Sequence, residues 1–134
     1  MVFDTLDVSA SGLLAQRTRM HVIANNLANV NTTRNADGEI DPFRRRVLFF
    51  AQGSEKGSAD GVRVHSIEKQ PGPLPKIYDP GHPEADADGY RETPNVVPIV
   101  EMVDMLEATR AYEGNLTVME TTKAMVLRSL SLLI

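Results

Sequence analysis

Residues 98–134 read PIVEMVDMLEATRAYEGNLTVMETTKAMVLRSLSLLI, with no proline after the first position. Met105, Tyr112, Met119, Val126 and Leu133 stand seven residues apart. Met102, Leu116 and Leu130 take the partner seam position of the same repeat, which Thr109 and Lys123 interrupt. A heptad held this long predicts a helix with a coiled-coil seam rather than the broader stripe of a globular surface helix. Pro98 suits the first helical turn, and Asn95 just ahead of it could help start the helix. At 1.5 Å per residue the predicted helix runs roughly 55 Å, longer than a small globule needs. Its end, Leu130-Ser131-Leu132-Leu133-Ile134, is apolar, and Val103 and Leu106 lie off the main stripe. A helix with apolar groups on more than one face needs partners, so self-association or assembly is expected.

The other end of the chain mirrors this. Leu6, Leu13, Met20 and Leu27 recur every seven residues, joined by Ile23 and Val30, with gaps at Ser9 and Gln16. A helix from about Asp4 to Val30 is predicted, roughly 40 Å long. Asp4, Thr5 or Asp7 could cap its start, and the Asn-rich run through Asn31 could end it. Asn25, Asn26, Asn29 and Asn31 fall within seven positions. Asn is a mediocre helix former because its amide competes for backbone hydrogen bonds. Two readings stay open: plain C-capping, or amides that pair across an interface and penalise wrong registers. Ala24 and Ala28, one turn apart, would let another helix approach closely.

Between these ends the chain changes character. All eight prolines lie between Pro42 and Pro98, and seven of the nine glycines lie between Gly38 and Gly89. Proline removes a backbone donor and breaks helices, so the middle is not helical. FRRRVLFF (43–50) reads as a strand with Phe43, Arg45, Val47 and Phe49 on one face, and Val62–Ile67 as a second. The loop Ala51–Gly61 joins them as a hairpin. Three prolines from Pro71 to Pro75 then force an extended path into a Pro/Gly/acid-rich loop. The expected fold is mainly α: long N- and C-terminal helices packed as a coiled coil, with a central β-hairpin and an extended Pro/Gly-rich loop. One structural domain is expected, divided into an N-terminal helix and Asn-rich motif (1–34), a hairpin region (35–70), the extended loop (71–97) and the C-terminal helix (98–134).

Composition excludes several classes. There are 134 residues and no Cys, which removes disulfide scaffolds, thiolate metal sites and cysteine nucleophiles. No apolar run approaches the ~18 residues of a membrane span. Net charge is −4, and Arg44-Arg45-Arg46 is the only basic run. Nucleic-acid binding needs a basic face, so no nucleic-acid partner is expected. These arginines instead alternate across a strand and meet neighbouring carboxylates. The start, Met1-Val2-Phe3-Asp4, lacks the basic flank and apolar core of a signal peptide.

Two acidic loops mimic calcium sites. Glu84-Ala85-Asp86-Ala87-Asp88-Gly89 has the spacing of a calcium loop, but the closing position is Asn95 rather than Glu. Asn35-Ala36-Asp37-Gly38 fails likewise, with Arg44 at the closing position. His21, His65 and His82 show no zinc spacing. A Ser nucleophile would need a poised His and an orienting carboxylate, which three scattered His do not offer. No catalytic, cofactor or metal site is expected, and the chain is not expected to be an enzyme.

Ala24-Asn25-Asn26-Leu27-Ala28-Asn29-Val30-Asn31-Thr32-Thr33, preceded by Leu6-Asp7-Val8-Ser9-Ala10-Ser11-Gly12-Leu13, resembles the N-terminal signature of bacterial flagellar rod and hook proteins. Met102-Val103-Asp104-Met105-Leu106-Glu107-Ala108-Thr109-Arg110-Ala111-Tyr112-Glu113-Gly114-Asn115 resembles the matching C-terminal signature. Pro73-Leu74-Pro75-Lys76-Ile77-Tyr78-Asp79-Pro80-Gly81-His82-Pro83 narrows the resemblance to the proximal-rod members, as does the short length. Many relatives have Ala where this chain has Gly114, which either permits a close helix contact or is tolerated.

The resemblance implies a structural subunit of the flagellar rod, the drive shaft that crosses the periplasm. It implies export by the flagellar type III apparatus without a cleaved signal peptide. Implied partners are copies of itself, other proximal and distal rod proteins, a membrane-ring adaptor protein and the export apparatus. Assembly contacts are expected on the N-terminal helix from Leu6, Leu13, Met20, Ile23, Leu27 and Val30, with Asn25, Asn26 and Asn29. On the C-terminal helix they are expected from Met102, Met105, Tyr112, Leu116, Met119, Val126, Leu130 and Leu133. The alternatives are a small calcium- or ligand-binding module built on residues 79–95, and another rod or secretion-system axial component.

Overall fold

The computed structural model describes residues 2–53 and 60–133, with the side chain of Val2 left aside. Two long helices dominate, α1 (Val2–Ala28) and α2 (Pro98–Ser131). Among the described residues, four short strands lie between them, β1 (Arg46–Gln52), β2 (Val62–Lys69), β3 (Lys76–Tyr78) and β4 (Tyr90–Glu92). The fold is therefore mainly helical with two small antiparallel hairpins. Among the described residues no helix is long and apolar enough to cross a membrane.

The helices run antiparallel. Gly12 faces Asn115, Met20 faces Thr109 and Asn26 faces Glu101, so each step forward along α1 meets a step back along α2. The buried positions of the pair are Ser9, Gly12, Ala15, Val22, Ile23 and Asn26 on α1, with Glu101 and Ala108 on α2. Leu6, Leu13, Met20 and Leu27 flank this line half-buried, as do Met105, Tyr112, Met119 and Val126. Met102, Leu116 and Leu130, read from the heptad as the partner seam, are exposed instead. The row one residue earlier, Glu101, Ala108, Asn115 and Thr122, turns inward. Partners across the seam explain the choice. Asn26 takes up Glu101, and the missing Cβ of Gly12 leaves room for the Asn115 side chain, which a Cβ there would meet at 3.0 Å. Close approach thus occurs at Gly12, while Ala24 and Ala28 are exposed.

Helix ends differ in detail from expectation. The helix α1 is already formed at Val2, which puts Asp4 inside the first turn, where its charge suits the helix dipole. Pro98 does open α2, but its N-cap is Val97, with no side-chain cap. Asn95 serves another element, accepting the Arg45 backbone N–H through Oδ1 at 2.7 Å.

The first hairpin pairs Arg46 with Lys69 through Gln52 with Val62, and the register slips by a bulge between Phe49 and Phe50. The bulge ends the predicted alternation, leaving both phenylalanines exposed while Val47, Leu48 and Ala51 are half-buried. Residues 54–59 of the connecting loop lie outside the described residues. The second hairpin lies within the stretch read as an extended loop. Ile77 pairs with Arg91 and Tyr78 with Tyr90, and the two tyrosine rings meet edge to face at 5.2 Å. Asp86 closes its loop, with Oδ1 accepting from the N–H groups of Asp88 and Tyr90. Gly89 is buried at φ +83°, where a Cβ would strike the Tyr78 ring at 2.9 Å.

Candidate functional site

Where β1 enters the helix pair, the chain buries a polar cluster. Asn26 is 1% exposed and its amide is fully used. Nδ2 donates to the Arg46 carbonyl at 3.0 Å and to Glu101 Oε2 at 3.1 Å, while Oδ1 accepts the Arg46 N–H at 2.9 Å. The side chain thus pairs with one strand residue as a neighbouring strand would, and it fixes β1 against α1.

Glu101 has no solvent exposure, and it lies in the first turn of α2, where a carboxylate is favoured by the dipole. Its other oxygen, Oε1, accepts from Arg45 Nε. Arg45 Nη2 reaches Asp104 Oδ2 at 3.2 Å. Arg19 Nη2 approaches Asp104 Oδ1 at 4.0 Å and Glu107 Oε2 at 3.5 Å. A buried charge is tolerable only when paired and hydrogen-bonded, and Glu101 has both a guanidinium and an amide. The cluster therefore locks α1, α2 and β1 into one register. Of the arginine run, Arg45 meets carboxylates as the sequence suggested. Glu101 itself was missed, because the heptad reading put Met102 in the seam and a charged residue beside it carries no apolar signal.

The asparagines divide between the two readings left open by the sequence. Asn29 Nδ2 donates to the Asn25 carbonyl at 2.9 Å and its Oδ1 accepts from Thr32, so it caps the end of α1. Asn26 pairs inside the chain. Asn25 is exposed.

The acidic loops are occupied with their own structure. Glu84 pairs with Arg34 Nε at 2.7 Å, and Asp86 closes the turn described above. Its hydrogen bond from Thr33, together with that from Arg34 and the Arg34 charge, holds the Glu84 carboxyl below its ordinary value, against a smaller desolvation effect in the other direction. Asn35 Oδ1 accepts from the N–H groups of Asp37 and Glu39, closing the 35–39 turn. Among the described residues no three His, Asp or Glu converge as metal ligands would.

The largest chemical feature left open is apolar. The start of α2 exposes Ile99, Val100, Met102, Val103 and Leu106, each by about half or more. Its end exposes Leu127, Leu130, Leu132 and Leu133. Among residues expected to form assembly contacts, Met102, Leu116, Leu130 and Leu133 are exposed, while Ile23 and Asn26 are buried inside the chain. Leu6, Leu13, Met20, Leu27, Val30, Asn29, Met105, Tyr112, Met119 and Val126 are half-buried.

Known proteins match the chain at both ends and along its length. Residues 6–34 match the family model described as flagella basal body rod protein. Residues 87–132 match the one described as flagellar basal body rod FlgEFG protein C-terminal. The flagellar basal-body rod protein FlgC of Borreliella burgdorferi is 43% identical, over 98% of this chain and 97% of its own. The chain belongs to the FlgC family of flagellar basal-body rod proteins. FlgC of Bacillus subtilis is 41% identical over 97% of both chains, and FlgC of Salmonella typhimurium 38% over 98% of this chain and 97% of its own. Membership of the FlgC family makes the chain a structural subunit of the flagellar basal-body rod. Both ends that match the rod models are the ones that form α1 and α2 here.

Proposed function

We propose that the chain is a subunit of the proximal rod, which polymerises through its terminal helices to transmit torque across the periplasm. The observation that carries this reading is the apolar surface along α2, from Ile99 to Leu133, which its own chain leaves uncovered. Apolar surface of this extent marks an interaction site. The helix pair acts as a coiled-coil stem that stacks laterally against neighbours, through the exposed apolar members of the expected set, Met102, Leu116, Leu130 and Leu133. Half-buried members such as Met105, Tyr112, Met119 and Val126 become fully covered on assembly. Stiffness then comes from many parallel contacts, with no catalytic step.

Copies of this chain, other proximal and distal rod proteins, a membrane-ring adaptor and the export apparatus are the partners of such a subunit. Export follows the flagellar type III route. The test is a strain lacking the protein, with motility measured and basal bodies imaged. Loss of motility with basal bodies that stop before the distal rod is the expected result. Complete basal bodies in that strain would overturn the reading.

A further inference from the structure

The arginine run divides between two sides of the first hairpin. Arg45 turns inward to Glu101 and Asp104, so its neighbours Arg44 and Arg46 lie on the opposite, outward side of the strand. Cross-strand pairing sets Lys69 beside Arg46, and Ile67 beside Leu48, on that same outward face. Arg46, Ile67 and Lys69 are exposed, and Arg44 donates through Nη1 to the uncharged Gly72 carbonyl at 2.7 Å. Among the described residues none of Arg44, Arg46 and Lys69 enters a salt bridge. This face is therefore basic, on a chain whose net charge is −4.

The second hairpin presents the opposite chemistry. Tyr78 and Tyr90 share the face turned away from Ile77 and Arg91, and they are 64% and 44% exposed. Exposed Glu92 stands on the same face beside Lys76, and Asp86 and Asp88 are exposed in the loop. The two other acids of this hairpin are already paired, Asp79 with Arg91 and Glu84 with Arg34. Among the described residues the two hairpins do not touch, so neither face covers the other within one chain.

We propose that the basic face of the β1–β2 hairpin in one copy docks on the Tyr78–Tyr90 face of the β3–β4 hairpin in a second copy. The proposal rests on the rod reading and adds a contact that lies outside the terminal helices. Guanidinium groups stack on aromatic rings and fork onto carboxylates, and this second face offers both, in its two tyrosines and in Asp88 and Glu92. Ile67, 46% exposed, brings an apolar side chain to the same contact. Charge also selects the pairing, because two basic faces or two acidic faces repel each other. The contact is therefore heterologous, one kind of hairpin against the other.

The chain has no native Cys, which makes the test direct. Ile67→Cys and Ala87→Cys place single thiols at two exposed positions, one at each face. Purified full-length variants are mixed with the short thiol cross-linker bismaleimidoethane. The expected result is more dimer from the two variants mixed than from either alone. Adding Arg46→Glu and Lys69→Glu to the Ile67→Cys chain is expected to remove that excess. Adding Asp88→Lys and Glu92→Lys to the Ala87→Cys chain is then expected to restore it. Equal yields in all mixtures, no dimer, or a loss that the complementary reversal does not rescue would overturn the contact. In cells, both single-thiol chains are produced in one strain, and its purified basal bodies are treated alike. The two chains joined to each other support the proposal. Chains present but unjoined, or joined only to a different protein, overturn this contact and leave the rod reading standing. Absence of the unsubstituted chain from basal bodies would sink the rod reading itself.

Discussion

Asn26 and Glu101, 75 positions apart in sequence, share a hydrogen bond of 3.1 Å, and neither side chain exposes more than 1% of its surface. Each also holds the strand between them, Asn26 through the backbone of Arg46 and Glu101 through the guanidinium of Arg45. Helix, helix and hairpin meet at this point.

Asn26→Leu keeps the branched shape but strips three hydrogen bonds, leaving the part-buried Arg46 backbone groups and one buried Glu101 oxygen without this partner. Each such group costs about 1–3 kcal/mol, so a loss of about 3 kcal/mol or more is expected. Urea unfolding of the purified chain measures it. Asn25→Leu, on the exposed side, is expected to stay within about 0.5 kcal/mol. Equal effects at the two sites would contradict the assigned roles.

Glu101→Leu leaves the Arg45 guanidinium with less compensation, and removing one partner of a buried pair costs about 3–5 kcal/mol. Glu101→Gln retains an acceptor for Arg45 and is expected to lose less. Arg45→Leu should be nearly as damaging as Glu101→Leu, and the double change Arg45→Leu/Glu101→Leu less damaging than the two added together. Additive losses in a double-mutant cycle would show that the pair does not act as a unit.

Two helical glycines should respond in opposite directions. A Cβ at Gly114 meets nothing within 4 Å, so Gly114→Ala is expected to stabilise the isolated chain by up to about 1 kcal/mol. At Gly12 the same change pushes against Asn115, whose amide is already held by the Ala111 carbonyl at 3.0 Å. Overpacking of about 1–3 kcal/mol outweighs the helix-propensity gain there. Thermal melts of both variants decide the matter, and a stabilised Gly12→Ala would show that the helices can move apart freely.

Gly89→Ala combines a strained backbone at φ +83° with a clash against Tyr78. The expected result is local loosening of the β3–β4 hairpin, read as faster amide exchange at Asp79, whose N–H bonds to the Gly89 carbonyl at 2.8 Å. Exchange in β1 and β2 should be unchanged.

Glu84 supplies a pH signature. Its carboxyl is held below the ordinary carboxylate value, chiefly through the hydrogen bond from Thr33, with Arg34 adding a second hydrogen bond and its charge. A carboxylate with a lowered folded value contributes stability above its unfolded value, and that contribution is lost as pH falls through the folded value. Carbon NMR of Glu84 should give a midpoint below that of an unperturbed glutamate, and Thr33→Val should move it upward. A midpoint unmoved by Thr33→Val would remove the hydrogen bond as its main cause.

How far the sequence reaches depends on the interaction concerned. Both long helices were legible because no proline lies within them past the first position of α2 and their apolar residues repeat. Strands β1 and β2 were legible as β-branched and aromatic runs. Strands β3 and β4, three residues each, were not, since so short a pairing has no alternation to read. It exists because Asp86 closes the turn, Gly89 takes a left-handed backbone and two tyrosines meet edge to face across it. The cluster at Glu101 was equally hidden. Its members, Asn26, Arg45 and Glu101, are spread over 75 positions, and none carries a local sign of burial.

By itself, then, the sequence determined the helix–middle–helix order, because helix breaking and periodicity are local properties of the chain. It also carried the two terminal signatures of the family. Tertiary structure alone decided which face of α2 turns inward. The apolar residues of α2 outnumber what one partner helix can cover, so hydrophobicity leaves the choice open. Glu101, Ala108 and Asn115 settle it, because Asn26, Arg45 and Gly12 await them across the seam, and the larger apolar side chains are left for neighbours.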